Sequence, residues 1–151
     1  GVYVHSAEWY NTYIKRAWEH PDPVGVSGML PPVDGVDRET AHRTILKIWH
    51  TWDWKRCWGW DFPWFAMAAA RLGEPELAVD ALLKDAGSKN FYDTRGVCTG
   101  GPCPYLPGNG GLLYAVAMMA AGWDGAPDRH APGFPDDGTW SVRWEGLKPA
   151  L

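Results

Sequence analysis

Apolar residues recur at helical spacing along most of the chain, and the breaks between the periodic stretches fall on Pro, Gly and Asp. In the first stretch, Trp9, Tyr10, Tyr13, Ile14, Ala17 and Trp18 follow a three-and-four spacing that predicts an amphipathic helix over 6–19, with Ser6 as its cap and Pro21 beyond its end. Pro21 to Val36 is rich in Pro and Gly and predicts a long irregular connection. Asp37-Arg38-Glu39-Thr40 predicts the next start, with Asp37 as cap, and Ala41, Ile45, Ile48, Trp49 and Trp52 fall on one face behind it. Asp61-Phe62-Pro63 opens a third helix, since proline is tolerated in a first turn, and its body from Phe65 to Leu72 is apolar on every side until Gly73 stops it.

Glu74-Pro75-Glu76 begins a half-exposed helix to about Lys84, with Leu77, Ala81 and Leu82 opposite Asp80, Lys84 and Asp85. A Gly-rich loop from Gly87 to Gly108 leads to another helix, apolar all round, from about Gly110 to Ala121 and closed by Gly122. Helices apolar on all sides predict burial on all sides. The alternation Thr139-Trp140-Ser141-Val142-Arg143-Trp144 predicts a short strand. The expected class is therefore all-α, with a helical part over 1–134 and the start of a β-region over 135–151. Short turns make neighbouring helices antiparallel. The two apolar helices, separated by one outer helix, should then run parallel, with Asp61 and Asn109 opening on one rim.

At 151 residues the length suits one domain. With Gly1-Val2 at its head and no initiator Met, the chain is expected to be a piece of something larger. Fourteen Lys and Arg against eighteen Asp and Glu give a net charge of −4 without a basic stripe, which argues against nucleic acid as a partner. No apolar run reaches the roughly twenty residues of a spanning helix, so no membrane role is expected. Secretion stays open, with an extracellular or periplasmic location preferred. Cys98-Thr-Gly-Gly-Pro-Cys103 either closes a small disulfide loop or leaves two reduced thiols. Its spacing matches neither usual zinc pair and no His lies near it in sequence, so no metal or cofactor is expected.

Candidate chemistry concentrates in Trp49-His-Thr-Trp52-Asp-Trp54-Lys-Arg-Cys-Trp58-Gly-Trp60-Asp61-Phe-Pro-Trp64, where six indoles alternate with Asp53, Lys55, Arg56 and Asp61. An indole offers a flat apolar face to a pyranose ring and an N–H to a hydroxyl, at low ordering cost. Rings mixed with polar residues suggest a cleft wall that binds an oligosaccharide or glycan.

The strings Thr51-Trp52-Asp53-Trp54, Cys57-Trp58-Gly59-Trp60-Asp61-Phe62-Pro63, Ala68-Ala69-Ala70-Arg71-Leu72-Gly73, Tyr105-Leu106-Pro107-Gly108-Asn109-Gly110-Gly111-Leu112-Leu113 and Val142-Arg143-Trp144-Glu145-Gly146-Leu147 resemble the C-terminal third of a bacterial six-hairpin, or (α/α)₆, glycosidase. The nearest groups are the α-fucosidase-type and disaccharide-phosphorylase-type enzymes. The resemblance implies a partial helical toroid completed by the rest of a parent protein. It also implies hydrolysis of a glycosidic bond, usually with inversion, by an acid and a base about 6.5–9.5 Å apart.

The sequence departs from that pattern twice. The general acid would come from an upstream loop outside this chain, and the residue expected to be an aspartate base before the Gly-Asn-x-Gly start is Pro107. Asp61 is then the best catalytic carboxylate, or else a helix cap; Trp58, Trp60, Tyr105 and Asn109 are the candidate substrate-binding residues. Glu145 and Asp93 are weaker candidates, Asp93 being explained by an Asx-turn. The five histidines form no grouping that suggests a ligand set. Two rival readings are a non-catalytic carbohydrate-binding or scaffold module and a purely structural helical-hairpin domain.

Overall fold

The computed structural model describes residues 1–151. It is mostly helical, with four α-helices: α1 (Arg38–Thr51), α2 (Asp61–Leu72), α3 (Pro75–Leu83) and α4 (Leu106–Ala121). No helix is long and apolar enough to cross a membrane.

Helix α2 is the centre of the molecule. Every residue in it is buried except Trp64, and even Arg71 is enclosed, as its all-round apolar sequence requires. Helix α1 packs on it through Ala41, Ile45 and Ile48, and Asp37 caps α1 by accepting from the Thr40 N–H at 2.7 Å. Gly73 ends α2 with φ +92, and the Gly73 and Glu74 N–H groups both turn back to Ala69. That left-handed stop sends α3 back along α2.

Helix α4 runs parallel to α2. Gly111 near its start lies against Pro63 in the first turn of α2, so closely that a Cβ there would stand 2.8 Å from the proline ring. At the other end Trp123, just past α4, meets the Arg71 guanidinium at 5.9 Å. The starts of the two helices lie side by side, but Asp61 and Asn109 do not open on a common rim: the Asp61 side chain has no exposed surface, and the Asn109 amide is bonded to the Cys98 N–H and the Gly96 carbonyl.

Three further expectations change, and one open alternative is decided. Residues 6–19 do not form an α-helix: Ala7–Trp9 is a 3₁₀ turn and Thr12–Arg16 a π-helical turn, and Ser6 makes no side-chain cap. The Thr12 hydroxyl donates to the Trp9 carbonyl at 2.6 Å and accepts from the His5 N–H at 3.1 Å, competing with a regular ladder. Tyr10 and Ile14, expected on the apolar stripe, lie in solvent.

Helix α4 begins four residues earlier than expected, with Pro107 in its first turn, and is not buried all round. Leu106, Leu113 and Val116, one stripe of the helix, are exposed because no other element of the chain covers that side.

Thr139–Trp144 forms no strand. Trp140 packs on Phe134 and Trp144 on His130, and no neighbouring strand supplies the ladder partners that extended backbone needs. The pairings that do occur are single bridges, Tyr92 with Cys98 and Trp123 with Ala150. Finally, of the two alternatives for the cysteines, the reduced one holds. Cys98 is buried against Gly59 and Gly108, whereas Cys103 is exposed.

Candidate functional site

The tryptophan segment is divided by the fold into core and wall. Trp52 and Trp54 are buried, and Trp54 sets its edge on Phe65 with centroids 5.2 Å apart. Trp49 stacks on the same Phe65 at 5.4 Å, and Trp60 stacks on Trp64 at 5.6 Å. Trp58 is different: it remains 39% exposed.

The N-terminal segment is laid across this wall by hydrogen bonds from it. The Asp53 N–H donates to the Ala17 carbonyl at 2.6 Å, and the Trp52 indole N–H donates to the Glu19 carbonyl at 2.7 Å. A surface cavity of about 440 Å³ opens between the two, lined by Trp18, Glu19, His20, Arg56 and Trp58. Its volume lies within the roughly 300–1,000 Å³ usual for small-ligand sites. Trp18 is 41% exposed, and the Arg56 guanidinium lies 4.3 Å from its ring centroid. Arg56 makes no ion pair, while Glu19 is held by Arg16 at 2.6 Å.

Behind the cavity, the His20 Nδ1 lies 2.9 and 3.0 Å from the two carboxylate oxygens of Asp61, whose side chain has no exposed surface. The Trp58 backbone N–H donates to Asp61 Oδ2 at 2.7 Å. Burial pushes the Asp61 carboxyl up from 3.8 to about 6, against the opposing pull of the Trp58 N–H and of His20. The Trp60 indole N–H also approaches His20 Nδ1, at 3.3 Å. One ring nitrogen cannot both donate to a carboxylate and accept from an indole, and the shorter carboxylate contacts assign the proton to Nδ1.

Of the residues expected from sequence, Trp58 alone lines the cavity. Asp61 does not cap the first turn of α2: it is itself the first residue of that helix, and its carboxylate is turned to His20 and to the N–H of Trp58. Trp60 touches His20 edge-on at 5.3 Å and so supports the wall from the side. Tyr105 stands behind Trp58, edge to face at 5.7 Å, with burial raising its hydroxyl to about 12.

Asn109 is spent on the loop, accepting from the Cys98 N–H at 2.9 Å and donating to the Gly96 carbonyl at 2.7 Å. Asp93 makes the expected Asx-turn with the Arg95 and Val97 N–H groups, and Glu145 is exposed. No group of three or more His, Cys, Asp or Glu is placed to hold a metal ion.

Sequence reasoning missed Trp18, Glu19 and His20 as wall residues. They read as the end of a helix, and 41 residues separate His20 from Asp61. The available signal was their composition, a ring, an acid and an imidazole in consecutive positions just before Pro21.

Compared with protein families, with curated proteins and with solved structures, the chain matches none.

Proposed function

We propose that the chain is part of a carbohydrate-active helical-toroid protein, and that the cavity between Trp18 and Trp58 is its saccharide site. The observation that carries this reading is the lining itself. Two half-exposed indoles stand beside a carboxylate, a guanidinium and an imidazole, so one small hollow offers apolar faces and hydroxyl-bonding groups together.

Support for the toroid comes from the parallel α2 and α4 with α3 turned back between their sequences, the alternation expected of inner and outer helices. The uncovered stripe of α4 supports it too. An apolar groove of about 390 Å³ beside that stripe, lined by Val79, Leu82, Leu83, Leu112, Val116 and Trp140 among others, is a surface that further hairpins of a toroid would bury. In the complete protein the activity is hydrolysis of a glycosidic bond by an acid and a base, usually with inversion. The chain alone supplies half the pocket and turns over nothing.

Binding is tested by titrating neutral and acidic oligosaccharides while tryptophan fluorescence and amide NMR shifts are followed. The expected result is saturable perturbation of Trp18 and Trp58, lost in Trp58→Ala while the far-UV spectrum and melting temperature stay close to wild type. If no saccharide perturbs either indole, the carbohydrate reading falls. If Trp58→Ala costs stability alone, the ring is structural.

A further inference from the structure

The least explained feature of the cavity is its histidine. A buried carboxylate with no solvent contact is costly unless its oxygens are occupied, and Asp61 occupies them with the Trp58 N–H and His20 Nδ1. The rest of the surroundings hold the imidazole still. The His20 carbonyl lies 3.1 Å from His5 Nε2, the preceding carbonyl takes the Trp52 indole, and the ring is braced edge-on by Trp60 at 5.3 Å and by Trp58 at 5.8 Å. Four aromatic or imidazole side chains thus fix a residue that lies outside any regular helix. Only one polar atom of the ring is left over. Nε2 makes no hydrogen bond within the protein, and His20 is 37% exposed in its side chain where it lines the cavity.

We propose that His20 is the proton-accepting residue of this cavity, with Nε2 taking a proton from a ligand hydroxyl or from water and Asp61 acting as the positioning residue that fixes Nδ1–H. Resting on the reading of the cavity as the ligand site, this adds a residue and a chemical role to it. When the proton moves, the O–H bond of the hydroxyl breaks and an N–H bond forms on Nε2. The electron pair stays on the oxygen, and the positive charge on the ring is balanced by the Asp61 carboxylate at 2.9 Å. A carboxylate that orients a neighbouring imidazole and stabilises its charged form, without itself meeting the substrate, is a recurring arrangement in acid–base sites. The role expected for Asp61 from sequence, direct contact with the reacting oxygen, passes to His20.

Two measurements on the full chain test this. Long-range ¹H–¹⁵N NMR at alkaline pH reads the tautomer of each histidine. His20 is expected as the Nδ1–H form, and Asp61→Asn is expected to convert it to Nε2–H, because the amide N–H₂ group then faces Nδ1 and demands an acceptor there. Histidine-selective acylation with diethyl pyrocarbonate, followed by peptide mass spectrometry, reads the free Nε2. His20 should react faster than exposed His130, lose that advantage in Asp61→Asn, and be protected by any oligosaccharide that perturbs Trp58.

Should Asp61→Asn fail to fold, the wild-type tautomer and the ranking of His20 against His130 decide alone. An Nε2–H tautomer in the wild type, or a His20 no more reactive than His130, overturns the inference even if saccharides bind. Conversely, a reactive Nδ1–H His20 that no saccharide protects retains the Asp61–His20 pair and removes the carbohydrate reading.

Discussion

Asp61 is where single-residue physics bears most directly on measurement. Its folded value of about 6 exceeds the ordinary 3.8 because burial disfavours the charged form, so between these values the folded state binds more protons than the unfolded chain. The stability it contributes is fully present below about pH 4 and is lost as pH rises through about 6. Wild type is therefore expected to lose ground to Asp61→Asn between pH 4 and pH 7 in paired thermal melts; a difference that is flat with pH would show that the carboxyl is not desolvated.

A second residue-scale prediction concerns the loop behind Trp58. The Gly59 N–H donates to the Gly100 carbonyl at 3.0 Å, and a Cβ at Gly100 would run into the Lys89 carbonyl and the Gly59 backbone. Gly100→Ala should cost about 1–3 kcal/mol of overpacking in urea titrations. It should also weaken any ligand effect on Trp58, since that ring rides on the displaced backbone.

At the scale of elements, the two apolar helices share a composition but not an environment. Helix α2 is enclosed because α1, α3, α4 and the N-terminal loop meet around it, while α4 has neighbours on one side only. Leu113, 72% exposed, is thus expected to tolerate Leu113→Glu with a change within about 0.5 kcal/mol in denaturant melts of this chain. A large loss would mean that the stripe is covered. Gly73 is the opposite case. Its φ of +92 is a left-handed conformation that a Cβ disfavours, so Gly73→Ala should lower stability by about 1–2 kcal/mol although the residue touches little.

Across the whole molecule, Arg71 is the tie between distant parts of the chain. From the last turn of α2 its Nε donates to the Gly28 carbonyl at 2.6 Å, its Nη2 donates to the Leu151 carbonyl, and the Arg38 guanidinium donates to the Arg71 carbonyl at 3.0 Å. The tail is further fastened where the Ala150 N–H donates to the Gly122 carbonyl at 2.9 Å. Removing a buried, hydrogen-bonded cation leaves its acceptors unpaired, so Arg71→Ala should cost about 2–4 kcal/mol. In hydrogen exchange, the loss of protection should concentrate at residues near 28 and 150. Uniform loss would show instead that Arg71 acts through the core of α2.

Whatever depends on neighbours three or four residues apart can be read from the chain alone. The boundaries of α1, α2 and α3, the Asp37 cap and the Gly73 stop are all local events, and each is legible in a few residues. The turn from α2 back into α3 was legible at Gly73-Glu74, but the direction of α4 was not, because residues 84–105 separate it from α3 and so long a connection fixes no direction. The remainder rests on contacts between segments far apart in the chain. Which indoles are core and which are wall depends on what packs across them; Trp52 and Trp58 read alike in the chain and differ in the fold. The period of residues 6–19 lost to a hydroxyl network, and that of 139–144 had no partner strand. Above all, His20 meets Asp61 across 41 positions of sequence. A contact of that separation leaves no periodic trace, because it is set by how the N-terminal segment lies on the tryptophan wall rather than by any repeat along the backbone.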